Sequence, residues 1–173
     1  MRIVRLSVAM SLDGYIADPN GGYDWIIMDP EIDFDALFKR YDTLLMGRKS
    51  YDMARQSSEG MPGPKVYVFS KTLKQSDVPD ATLSNDLEKT VAELKKMKGN
   101  DIWLWGGGEL FRSMLEAKLV DEIEVAVIPV LLGDGIPLLP KTKTRVGLKL
   151  KEQRLFKKTG TLLLSYGVKY SKR

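Results

Sequence analysis

The chain contains no cysteine and no histidine. The absence of cysteine excludes disulfides, thiolate metal sites and thiol nucleophiles. The absence of histidine removes the commonest general base, the serine–histidine triad and nearly all zinc chemistry. No metal site is expected. Proton traffic must run through carboxylates, lysine, tyrosine or water, which favours chemistry carried by a cofactor that the protein positions. Long apolar runs are also absent, and nothing approaches the roughly 20 residues of a membrane span. The short apolar run at the N-terminus reads as a strand rather than a leader. No membrane partner is expected, and a cytoplasmic location is.

The remainder is ordinary in bulk. With 173 residues, 43% hydrophobic and 29% charged, the chain fits one globular domain spanning 1–173. The formal charge of +4 is unevenly spread. Residues 141–173 carry eleven Lys and Arg against one acid, Glu152, while the rest has 16 bases and 22 acids. A solvated outer face on a strand pair accounts for this; attraction of an anionic ligand and nucleic-acid contact are the sharper readings. No aromatic stacking platform interleaves the bases and no zinc-finger or helix-turn-helix signature accompanies them, so no nucleic-acid partner is predicted.

Apolar periodicity predicts strands over 2–10, 43–46, 65–69, 81–83, 102–105 and 121–128, and a closing hairpin of 147–156 with 161–170. Helices are predicted over 32–40, 48–54, 86–98 and 109–115. In the third, Leu87, Val91, Leu94 and Met97 share one face, and Asn85 or Asp86 is the N-cap. The segments 11–30, 57–64 and 129–144 read as loops, the first draped over a cavity. Strands alternating with helices imply an α/β three-layer sandwich, its mixed sheet mainly parallel with an antiparallel C-terminal hairpin.

Two corners stand out. Ile102-Trp103-Leu104-Trp105 runs into Gly106-Gly107-Gly108 and then the helix opening Glu109-Leu110; Leu44-Leu45-Met46 runs into Gly47-Arg48-Lys49-Ser50. A strand turning into a helix through bare backbone presents unpaired N–H groups at the positive end of a helix dipole, which suits a phosphate. Two such corners suggest a ligand with several phosphates, such as a dinucleotide. Neither is a standard fingerprint. The Rossmann pattern needs glycine where Phe111 stands, and a Walker A loop needs one where Asp42 stands. A tight turn with close helix packing would account equally for the triple glycine taken alone.

In order along the chain come Ser11-Leu12-Asp13-Gly14-Tyr15-Ile16-Ala17, a loop with Trp25, Gly47-Arg48-Lys49-Ser50, Val68-Phe69-Ser70-Lys71, Gly106-Gly107-Gly108, and Val127-Ile128-Pro129-Val130-Leu131-Leu132-Gly133-Asp134-Gly135. This series resembles the dihydrofolate reductase superfamily, most closely the branch holding the reductase domain of riboflavin biosynthesis. The zinc deaminase domain often fused to that reductase is not expected here, since it needs cysteines and a histidine.

The resemblance implies an NADPH cofactor and a small heterocyclic, imine or carbonyl substrate related to pyrimidines or pterins. It implies that Gly47, Arg48, Gly106, Gly107, Gly108, Glu109 and Leu110 surround the pyrophosphate, and that Ser70 and Lys71 grip the adenosine 2′-phosphate. Ala9, Met10 and Ile16 would line the nicotinamide pocket, and Trp25 would close the loop over the substrate. Asp13, Asp33 and Asp35 are the candidate proton donors, Asp13 fitting the branch's Ser-Leu-Asp-Gly pattern. For Asp13 turn capping stays an alternative, for Trp25 core burial, for Lys71 a solvated turn and for Arg48 a helix-start salt bridge. A homodimer is also implied. The alternative to a reductase is a non-catalytic nucleotide-binding module that keeps the fold.

Overall fold

The structure is a computed structural model that describes residues 1–56, 63–143 and 145–170. Of the loop expected over 57–64 only Gly63 and Pro64 lie among them, and Thr144 lies outside. The strands are β1 (Val4–Ser11), β2 (Tyr15–Ala17), β3 (Tyr41–Gly47), β4 (Lys65–Phe69), β5 (Thr82–Ser84), β6 (Asp101–Gly106), β7 (Glu122–Ile128), β8 (Ile136–Pro137), β9 (Gly147–Phe156) and β10 (Thr161–Lys169). The helices among the described residues are α1 (Phe34–Lys39), α2 (Arg48–Gln56), α3 (Leu87–Lys96) and α4 (Gly108–Glu116), with a 3-10 turn at Gln75–Asp77.

The main sheet runs β5-β4-β3-β6-β1-β7-β10-β9. The strands from β5 to β7 are all parallel, and the β9–β10 hairpin closes the sheet antiparallel. The expected α/β sandwich is therefore present, with its antiparallel edge at the C-terminus.

Both faces of the parallel part are covered, which is why β3 and β6 read as continuous apolar runs. Alternation then sorts the side chains. Leu45, Ile102 and Leu104 join Val4, Leu6, Val91, Leu94, Phe111 and Met114 in the core beneath α3 and α4. Leu44, Met46 and Trp103 turn to the other face, where Tyr41, Tyr51 and Val68 complete a second core beneath α1 and α2. α3 is capped by Asp86, whose Oδ1 accepts the Lys89 N–H at 3.0 Å. It ends two residues early: Met97 is its C-cap, extended in backbone and 52% exposed rather than on the buried face.

Two segments expected to be plain loops pair with each other. β2 and β8 form an antiparallel ribbon beside the sheet. Gly135 makes this possible: at φ +159°, a Cβ there would fall 2.3 Å from the Ala17 carbonyl oxygen. The hairpin also explains part of the basic C-terminus. Lys151 pairs with the buried Glu122, and Arg154 reaches Glu31 at 3.4 Å while lying over the Phe156 ring.

Candidate active site

Strands β3, β4, β6 and β1 end along one edge of the sheet, and a cavity of about 2620 Å³ opens there. Ligand pockets commonly span about 300–1,000 Å³, so this one has room for a large cofactor and a second molecule together.

The two glycine corners meet at this edge. β3 and β6 are neighbours, with Met46 opposite Gly106. A Cβ placed on Gly47 would lie 3.9 Å from Gly106 O, Gly107 N and Leu110 Cβ. One placed on Gly107 would lie 3.5 Å from Ser50 Oγ. The N-termini of α2 and α4 thus converge on one spot, and their dipoles reinforce each other there. Gly106 and Gly108 are buried, while Gly107 is partly open and Glu109 exposed. Gly106 adopts φ +123°, a conformation that disfavours any side chain, and the Gly106–Gly107 peptide is cis. Gly108 serves packing instead: a Cβ there would sit 2.8 Å from Pro140 Cδ. Leu110 is buried in the core and also borders the cavity.

Cations stand at this end. Arg48 and Lys49 occupy the first turn of α2, and no acid joins them there. Positive charge at a helix N-terminus opposes the dipole unless an anion compensates. Arg48 contacts Asp52 through a 3.6 Å pair, but both partners are more than half exposed, so the contact contributes little. Beyond β4, the Ser70 hydroxyl accepts the N–H groups of Thr72 and Leu73 at 3.2 Å each, closing a turn that presents Lys71 at the cavity margin.

Across the sheet, Ala9 and Ile16 line the cavity. Met10 does not share that role: alternation along β1 turns it to the opposite face, against the α3–α4 core. The 18–33 loop contributes Tyr23, Ile26 and Met28 to the cavity wall, whereas Trp25 is half-buried beside them and donates its Nε1–H to Gly22 O at 3.3 Å.

The three candidate acids part company. Asp33 caps α1, accepting the Ala36 N–H at 2.8 Å. Asp13 lies off the cavity lining and ties two loops together. It accepts the Ser11 hydroxyl at 2.6 Å, the Leu132 N–H at 3.1 Å and the Gly133 N–H at 2.8 Å. The Ser11 bond first, and then the backbone amides, hold its carboxyl below the usual range. Such a group stays ionised and is a poor proton donor. Asp35, on the first turn of α1, borders the cavity.

An aromatic wall went unread as a site in the sequence. Trp103 stacks on Tyr41 with ring centroids 4.9 Å apart, and both Trp105 and Phe38 lie against it at 4.6 and 5.8 Å. Its signal was the Trp-x-Trp spacing, which in a strand puts both rings on one face. Below the wall runs a buried polar ladder. Arg5 sits opposite Glu122 in register and is bonded to it at 2.7 Å; Ser7 sits opposite Glu124 at 3.0 Å. Glu124 also accepts from Arg40 at 3.2 Å, anchoring the end of α1 to β7. Burial pushes the Glu122 carboxyl up, but Lys151 and Arg5 outweigh it and leave it below its ordinary range. Acids at alternate positions of an otherwise apolar strand, opposite Arg5-x-Ser7, were the available sign.

Comparison with known proteins fits this geometry. A family profile described as RibD C-terminal domain matches residues 2–163. The chain is 37% identical over 168 residues to YyaP of Bacillus subtilis (strain 168), itself uncharacterised, covering 90% of this chain and 89% of that one. It is 42% identical to the riboflavin biosynthesis protein RibD of Haemophilus influenzae over 51 residues, 30% of this chain and 14% of that one. A crystal structure from Shewanella sp. PV-4, provisionally assigned to riboflavin biosynthesis, superposes with a TM-score of 0.84 at 28% identity, over 97% of this chain and 99% of that one.

Proposed function

The chain belongs to the RibD C-terminal domain family, and on that premise we propose that it is an NADPH-dependent reductase of a small planar heterocycle or related imine or carbonyl. The observation that carries this reading is the convergence of the Gly47 and Gly106–Gly108 corners, with a Cβ on one only 3.9 Å from the backbone of the other. Side-chain-free backbone, two helix N-termini and Arg48 in one place suit a diphosphate.

When bound, NADPH supplies the hydride. Gly47, Arg48, Gly107 and the first turn of α4, at Gly108, Glu109 and Leu110, would hold its diphosphate. Ser70 and Lys71 would hold the 2′-phosphate, a hydroxyl and an ammonium for a dianion. Ala9 and Ile16 would border the nicotinamide. The small Ala9 side chain leaves the ring's approach unobstructed. Asp35, one of the carboxylates that border the cavity, would supply the proton, directly or through water. Asp13 positions the loop that carries Ile16, and Trp25 steadies the covering loop that excludes solvent.

We further propose a homodimer built on the α3–α4 side of the β9–β10 hairpin. Leu148, Leu150 and Leu155 are 46–56% exposed there and pair in register with Val168, Tyr166 and Leu162. A bulge between Ser165 and Tyr166 keeps Leu155 and Leu150 on one face despite their odd spacing. An apolar sheet surface, broken only by Gln153 between Leu155 and Leu150 and reaching the edge strand β9, suits a second copy related by a two-fold axis.

Steady-state loss of reduced-nicotinamide absorbance over a panel of pterins, aminouracils and cyclic imines tests the activity. Turnover with NADPH on one of them is expected. Tight NADPH binding with no turnover across the panel favours the non-catalytic module.

A further inference from the structure

The segment that follows Gly135 is fastened to both β2 and α4. At its start β8 pairs with β2, and the Leu138 N–H donates to Gly14 O at 3.0 Å. It then lies along α4 and meets Gly108, Arg112 and Glu116, which share one helix face. A Cβ on Gly108 would sit 2.8 Å from Pro140 Cδ. The Lys141 carbonyl accepts from the Arg112 guanidinium at 3.3 Å, and the Thr142 hydroxyl donates to Glu116 at 2.9 Å. Ile136, Pro137 and Pro140 border the cavity, as do Ile16 on β2 and Gly108 on α4. The segment is therefore a strap that ties the strand beside the nicotinamide to the helix at the diphosphate corner.

Arg112 makes the middle one of these contacts, and its guanidinium also pairs with Glu109, one turn back. Glu109 is the one acid in the first turns of α2 and α4. Its backbone N–H suits an anion, because the first amides of a helix have no partner within it. Its carboxylate does the opposite. It occupies the positive end of the α4 dipole that a diphosphate would use, and it repels one. Among the described residues, the charges on the cavity wall at this corner are Arg48, Lys49 and Glu109. Every other charge on the wall belongs to α1, the start of β3, the turn after β4 or the start of α3. Arg112 does not border the cavity. On the reductase reading above, we propose that Arg112 is a positioning residue for the cofactor. From outside the cavity it neutralises the Glu109 carboxylate and holds the strap, and so keeps the corner receptive to a diphosphate.

Calorimetric titration of NADPH into the full chain tests this. Arg112→Met keeps the apolar stem and removes the charge, whereas Arg112→Lys keeps the charge. Arg112→Met is expected to weaken NADPH by about threefold or more at low salt, the order of one exposed ion pair. The loss should shrink at high salt, where screening removes the repulsion. Arg112→Lys should retain most of the affinity, and Glu109→Gln added to Arg112→Met should restore it. Adenosine 2′-monophosphate, which has no diphosphate, should bind all of these chains alike. Arg112→Gln is read in the same way should Arg112→Met fail to fold by circular dichroism. Equal NADPH affinity in the wild-type chain and the charge-free variant would overturn the proposal. So would a loss that Glu109→Gln does not restore, since a purely structural contact would not respond to that second change. The two claims fail separately. Absent NADPH binding by the wild-type chain strikes the reductase reading; intact binding that is indifferent to Arg112 strikes only its positioning role.

Discussion

Two aspartates hold the loops that frame the cavity, and both do so as ionised acceptors. Asp13 joins the 11–15 turn to Leu132 and Gly133. Asp29 is buried, which pushes its carboxyl up, but the Glu31 N–H and Thr159 more than offset that and leave it lowered. A carboxyl whose folded pKa is depressed contributes stability above its unfolded value near 3.9, and loses it as pH falls through the lower folded value. The loops should therefore stay clamped at neutral pH and release in acid, below about pH 4. Hydrogen exchange at the Leu132 and Gly133 amides reads this directly: protection should fall at low pH, and Asp13→Asn should show the same loss at neutral pH. Unchanged protection in that variant would remove Asp13 from its positioning role. In sequence, Asp13 was legible as a turn-former and as a candidate donor. Ser11 is a near neighbour, but Leu132 and Gly133 lie more than a hundred residues away, so spacing could not decide between the two.

At the level of elements, the parallel strands, their order of appearance and the closing hairpin followed from periodicity, because burial on both faces demands continuous apolar runs. What periodicity missed was set by tertiary contact. β2 and β8 are too short to carry a pattern and exist because Gly135 lets one backbone approach the other. The end of α3 was misplaced because Met97 continues the helical spacing although the chain leaves the helix at Lys96. The triple glycine was readable as a corner, but its three members divide the work. Gly108 serves packing under Pro140, with 2.8 Å between a would-be Cβ and the proline ring. Gly108→Ala should accordingly lower stability by about 1–3 kcal/mol, the usual cost of overpacking, read as a drop in Tm. A Tm equal to wild type would show that the Pro137–Pro140 segment yields freely. The candidate site was half legible on the same grounds. Glycines and cations advertise an anion site through residue type, whereas the Phe38–Trp103–Trp105 wall and the Glu124–Arg40 anchor arise from strand alternation and register.

Across the whole molecule, the sheet presents two unlike ends: a deep cavity along the parallel strand ends, and an open leucine face on the β9–β10 hairpin. The second predicts association. Light scattering at micromolar concentration should give twice the monomer mass, and Leu150→Glu should give the monomer, because a charge in the middle of an apolar interface is left desolvated. A monomeric wild-type chain would contradict the proposed interface without touching the cavity. The cavity's assignment rests on Gly107. Its φ of −83° lies in a region open to any residue, and a side chain there fills space at the corner. The most direct measurement is calorimetric titration of NADPH into the wild-type chain and Gly107→Val at matched Tm. The account predicts binding by wild type and at least about tenfold weaker binding by the variant, a loss of roughly 1.4 kcal/mol or more. Equal affinity would show that the two corners do not hold the diphosphate.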